Sequence, residues 1–96
     1  MNDAEVLTYT ENPLARPDVS SFPLDDDLVL SKEGNGEVFV LNSTGAFIWQ
    51  HCDGRHAIPS IVEAIVNQFG VPASEAMDDV LELIGNLHTA ELLATD

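Results

Sequence analysis

A chain of 96 residues has room for one domain, and a hydrophobic fraction of 45% is enough to give it a core. Its 17 Asp and Glu against three Lys and Arg set a net charge of −14, which argues against a phosphate-neutralising nucleic-acid surface and against docking on an anionic membrane. The single cysteine, Cys52, excludes an intramolecular disulfide, and no apolar run approaches the roughly 20 residues of a membrane span.

The opening Met1-Asn2-Asp3-Ala4-Glu5 is acidic and lacks the basic-then-apolar profile of a signal peptide, so the expected location is the cytoplasm. Residues 1–17 read as a flexible N-terminal arm, with Pro13 and Pro17 bracketing Leu14-Ala15-Arg16 and no sustained periodicity. The domain proper is placed at residues 18–96. Its first strand covers residues 19–22 and stops at Pro23, a residue suited to an edge or a strand end. Asp25-Asp26-Asp27 is read as a turn. Leu28-Val29-Leu30-Ser31-Lys32 and Glu37-Val38-Phe39-Val40-Leu41 then form a hairpin about Asn35-Gly36, a pair that accepts positive φ. That turn sets Leu30 opposite Leu41 and Lys32 opposite Phe39. Leu28, Leu30, Phe39 and Leu41 share one face, because side chains alternate along a strand. Val29, Val38 and Val40 fall on the other, an apolar surplus that suggests a second covering element, subunit or peptide.

After Leu41 the period lengthens to about 3.6. Asn42-Ser43-Thr44 offers capping oxygens to a helix carrying Ala46, Phe47, Ile48 and Trp49, and Asp53-Gly54 ends it. The second helix spans residues 58–69, with Pro59 in its first turn and Gly70 as terminator. Its Ile58, Ile61, Val62, Ile65, Val66 and Phe69 form an i, i+3, i+4 stripe. Ser74 is expected to cap a third helix whose core face holds Met77, Val80, Leu81, Ile84 and Leu87, joined by Leu92. Strands first and helices after predict an α+β domain: a three-stranded antiparallel sheet followed by three helices, resembling a winged helix-turn-helix.

Side chains that could carry chemistry are few. His51, Cys52, Asp53 and His56 cluster, but a zinc site needs a second Cys/His pair, and only His88 remains. Cys52 beside Phe47, Ile48 and Trp49 reads as a small buried hydrophobe rather than a thiolate nucleophile. The Asp25–Asp27 run lacks the alternating ligands of a calcium loop, and Gly34-Asn35-Gly36 has no following helix to present amides to phosphate. The expectation is no catalytic residue, no metal and no cofactor.

An ordered set of short motifs is more specific. Val40-Leu41-Asn42-Ser43-Thr44-Gly45-Ala46, Ile48-Trp49, Cys52-Asp53-Gly54, Ile61-Val62-Glu63-Ala64-Ile65, Phe69-Gly70 and Asp79-Val80 occur in sequence, followed by the closing residues 87–93. Over residues 13–93 this resembles the PqqD-like family, the small peptide-binding domains also called precursor-peptide recognition elements. One departure is Ala57, where the family often has Thr or Ser before the second helix. The resemblance implies a non-catalytic, winged-helix peptide chaperone. It would bind the leader segment of a ribosomally synthesised precursor peptide and present it to a modifying enzyme, a radical S-adenosylmethionine maturase or a leader peptidase. The leader would add antiparallel to the third strand, at Glu37, Val38, Phe39, Val40 and Leu41, beside a third-helix wall of Asp78, Leu81, Glu82, Gly85 and Asn86.

Two other readings stay open on sequence. A structural or regulatory subunit of a larger enzyme complex would bury the same apolar edge, and a homodimer through it is permitted. A DNA-binding winged helix is disfavoured, since residues 75–87 contain no Lys or Arg.

Overall fold

Residues 12–34 and 36–94 are described in the computed structural model. Strands β1 (Val19–Leu24), β2 (Asp27–Lys32) and β3 (Val38–Leu41) form an antiparallel sheet in the order β1-β2-β3, followed by α1 (Ser43–Gln50), α2 (Ile58–Phe69) and α3 (Ala73–Thr89). The expected α+β architecture, three strands and then three helices, is therefore present.

β1 runs two residues further than expected, through Pro23 to Leu24, and a two-residue turn at Asp25-Asp26 returns the chain to Asp27. Asp25 takes φ 57°, a conformation that Asp tolerates better than most residues. The second hairpin differs in register. Leu28 pairs with Leu41 and Leu30 with Phe39, two residues from the expected alignment. A loop spanning residues 33–36 connects the strands, with Gly34 at φ 96° and Gly36 at φ 71°; Asn35 lies outside the described residues. Two glycines able to adopt positive φ let the chain turn over four residues rather than two. The shift is an even number, so Leu28, Leu30, Phe39 and Leu41 keep their common face.

Asn42 caps α1, its Oδ1 accepting the Gly45 amide at 2.9 Å. α2 starts without a side-chain cap at Ala57, a deficit of about 1 kcal/mol. Burial of Ile58, Ile61, Val62 and Ile65, at about 1.5–3 kcal/mol each, outweighs it. α3 begins two residues earlier than expected: Pro72 occupies the cap and Ser74 sits inside the first turn, because Pro φ already matches the helix entry. Its core face is Ala76, Val80, Ile84 and Leu87, with Met77 and Leu81 half-buried at the margin.

Pro13, Leu14, Ala15 and Arg16, read from sequence as part of an arm, are laced into the body. The Ala15 amide donates to Cys52 O (2.8 Å), Arg16 N to Leu92 O (3.0 Å), Ala94 N to Leu14 O (2.7 Å) and Gly54 N to Pro13 O (2.9 Å). Residues 1–11 lie outside the described residues. The core thus has the sheet's inner face on one side, α1 to α3 on the other, and Leu92 and Leu93 closing the end near the segment that carries Ala15. No helix among the described residues is long and apolar enough to cross a membrane.

Candidate functional site

The two outer edges of the sheet are chemically unequal, and hydrogen-bond phase explains why. Glu33 N donates to Asp18 O and Lys32 N to Glu37 O, so odd-numbered residues of β2 bond to β1 and even-numbered ones to β3. On β1, Pro23 lies opposite Leu28 in a non-bonded pair, so the amide it lacks is missing from the outer margin. On β3, Phe39 and Leu41 exchange bonds with β2, whereas the amides and carbonyls of Val38 and Val40 point outward. No strand among the described residues pairs with that side. Val38 and Val40 are 59% and 61% exposed, the surplus apolar positions anticipated from the alternation. β3 is an open edge; β1 is a blunted one.

A groove runs along the open edge. β3 supplies one wall with Val38, Phe39, Val40 and Leu41; α3 supplies the other with Leu83, Asn86, Leu87 and Ala90, and Leu92 lies at the base. It encloses about 450 Å³, within the range of ligand sites. The helix wall exists because α3 packs chiefly on α2 and stands apart from β3. Leu92 reaches the base through the helix ending: Glu91 adopts φ 61°, and Leu92 N turns back to Leu87 O at 2.9 Å.

Past Leu41 the groove continues into a second hollow between the start of α1 and the middle of α3. Asn42, Thr44, Gly45 and Ile48 face Asp79, Glu82, Leu83 and Asn86 across it. Leu83 and Asn86 line both parts. The character changes along the length: apolar beside β3, polar and acidic beside α1. Neither Asp79 nor Glu82 is in an ion pair among the described residues.

Of the residues suggested for peptide contact, Val38, Phe39, Val40 and Leu41 line the groove together with Glu82 and Asn86. Glu37 lies at the mouth of the hairpin, its carbonyl accepting from Lys32 N. Asp78, Leu81 and Gly85 do not line either part. They sit one residue before Asp79, Glu82 and Asn86, and a helix rotates by about 100° per residue. Leu81 is packed against the core margin, and a Cβ at Gly85 would meet nothing within 4 Å, so no close helix contact accounts for that glycine. Asp79, Leu83, Leu87, Ala90 and Leu92 were not anticipated as wall residues; their signal, a second i, i+4, i+8 row at Asp79, Leu83 and Leu87, overlaps the core stripe.

The His/Cys cluster resolves into local structure. His56 Nδ1 lies 2.9 Å from Asp53 Oδ1, which also accepts the Arg55 amide. These bonds, the Arg55 amide first, hold the Asp53 carboxyl below the usual carboxylate range. The ring of His51 stacks near Phe47 at 4.5 Å, with its Nδ1 2.8 Å from Phe47 O. Cys52 donates to Ile48 O, and burial, with Asp53 nearby, pushes its thiol up to about 12. Such a thiol is a poor nucleophile at neutral pH. Among the described residues, no group of three or more His, Cys, Asp and Glu is placed to hold a metal.

The sequence matches the family model for coenzyme PQQ synthesis protein D (PqqD) over residues 27–93. The chain belongs to the PqqD family. This PqqD-family chain is similar to two solved structures. One is TbiB1 in complex with the TbiA(beta) leader peptide: 27% identity, TM-score 0.75, covering 86% of this chain and 99% of that one. The other is lasso peptide synthetase B1 complexed with the leader peptide: 25% identity, TM-score 0.74, covering 88% and 99%. No curated protein matches the sequence. The family match begins at Asp27, so β1 and the segment that carries Ala15 lie outside it.

Proposed function

We propose that this chain is a non-catalytic adaptor that binds the leader segment of a ribosomally synthesised precursor peptide and presents it to a modifying enzyme. The observation that carries the reading is the pairing of an open β3 edge with an adjoining apolar groove. An extended peptide added antiparallel there would exchange backbone bonds with Val38 and Val40. Its alternate side chains would enter the groove toward Leu83, Leu87 and Leu92. This is strand addition, in which main-chain bonds supply affinity and pockets supply selectivity. Membership in the PqqD family and likeness to two leader-peptide complexes support it.

The partners on this reading are a precursor peptide and a maturase or leader peptidase. The test is modification of the precursor by its enzyme with and without the chain. Efficient modification only when the chain is present supports the adaptor. Equal modification without it, or an enzyme that fails to associate with the chain–leader complex, contradicts it.

A further inference from the structure

We infer that the peptide taken by this groove carries a Lys or Arg two or four residues N-terminal to the apolar side chain that fills the space between Leu83, Leu87 and Leu92. The inference rests on the strand-addition reading above and adds what the groove selects. Its basis is the polarity of the cavity. The part beside β3 is walled by Leu83, Leu87 and Leu92, whereas the part beside α1 presents Asp79 and Glu82 with Asn42 and Asn86.

The chain's own cations do not serve those carboxylates. Arg16 is bound to Asp18 at 3.0 Å, Lys32 is on β2, Arg55 is in the α1–α2 turn, and α3 carries no Lys or Arg. A cation on the visiting peptide is the complementary partner. Direction follows from β3, which runs from Val38 toward Leu41 and the acidic hollow. An antiparallel ribbon therefore passes the acidic part with its N-terminal residues and the apolar part afterwards.

Spacing follows from geometry. A helix rise of about 1.5 Å per residue puts Glu82 roughly 8 Å and Asp79 roughly 12 Å from Leu87 along α3. A strand advances about 3.3 Å per residue, with every second side chain on one face, so two residues cover about 7 Å and four about 13 Å. Odd separations would turn the cation away. Charge pairs at such an exposed rim set register and encounter rate more than affinity.

The test is selection of displayed random twelve-residue peptides on the full chain, on the double variant Asp79→Asn/Glu82→Gln, and on Glu82→Lys. The wild-type chain is expected to enrich Lys or Arg at two or four residues before an apolar anchor. The double variant should keep the anchor, lose the cation preference and bind a selected peptide about fivefold more weakly. Glu82→Lys should instead enrich Asp or Glu there, a gain that an unfolded protein cannot produce. Apolar anchors without a preceding cation, a cation placed C-terminally, or preferences unchanged in the variants would overturn the inference and leave strand addition standing. Selected peptides that leave the Val38 and Val40 amides unperturbed would overturn the strand-addition reading itself, and this inference with it.

Discussion

Gly45 of α1 lies against Leu83 of α3: a Cβ in place of its hydrogen would sit 3.6 Å from Leu83 Cδ2 and 3.2 Å from Leu41 Cβ. The first contact is ordinary, and the second is tighter than the backbone of β3 accommodates without movement. This glycine lets the start of α1 approach both walls at the point where the apolar and acidic parts of the groove meet. Gly45→Ala gains up to about 1 kcal/mol of helix propensity but overpacks Leu41, a cost of about 1–3 kcal/mol. Net destabilisation of about 1 kcal/mol is expected from urea midpoints, with weakened peptide binding.

Gly85 provides the contrast on α3. Open space surrounds the position of its missing Cβ, and it lines neither part of the groove. Gly85→Ala should stabilise the fold by about 0.5–1 kcal/mol through helix propensity alone. Peptide affinity measured by calorimetry should not change; a loss of affinity would return Gly85 to the contact surface.

Proline substitutions separate the two edges of β3. The Val40 amide points away from β2, so Val40→Pro removes an outward donor while sparing the ladder. The Phe39 amide points inward, and Phe39→Pro breaks the bond to Leu30. Thermal melts should show little change for Val40→Pro and a large drop for Phe39→Pro. Peptide binding should fall at least tenfold in the folded Val40→Pro variant, the loss of about one main-chain bond and a blocked edge.

The thiol gives a pH-dependent signature. With its folded pKa raised from 9.0 to about 12, Cys52 is neutral in the native state well beyond the pH at which an unfolded thiol ionises. The stabilisation is complete below pH 9 and disappears as pH climbs to about 12. Labelling by a thiol reagent at pH 8 should track global unfolding, and Cys52→Ala should flatten the alkaline decline.

Asp53 acts in the opposite direction. Its carboxyl is held below the ordinary 3.8 by the Arg55 amide and then His56, so its stabilisation is present above pH 3.8 and vanishes as pH falls through the lower folded value. Asp53→Ala should lower the urea midpoint at pH 7, and the difference from wild type should shrink toward pH 3.

How much of this was legible in the chain depends on what each residue answers to. Ile58, Ile61, Val62 and Ile65 repeat at the helical period between Pro59 and Gly70, so α2 was readable to the residue. The β2–β3 turn was not, since Gly34 and Gly36 both accept positive φ and local chemistry cannot choose between centres. On α3 the core stripe is visible through Val80, Ile84 and Leu87. The expected wall includes Glu82 and Asn86, which line the groove, together with Asp78, Leu81 and Gly85, which do not, while it omits Asp79 and Leu83. Which row faces β3 is decided by how α3 leans on α2, and the row that does so, Asp79, Leu83 and Leu87, is masked by the core stripe it overlaps. The bonds that tie Ala15 and Arg16 to Cys52 and Leu92 are also long-range, and they left Leu14-Ala15-Arg16 looking like a free arm.

Site-resolved hydrogen exchange of the Val38 and Val40 amides reports whether β3 receives a peptide strand. With saturating precursor peptide, both amides should exchange at least a hundredfold more slowly, while Phe39 and Leu41, already bonded to β2, change far less. Precursor peptide that binds the chain yet leaves Val38 and Val40 exchanging at their free rates would contradict strand addition.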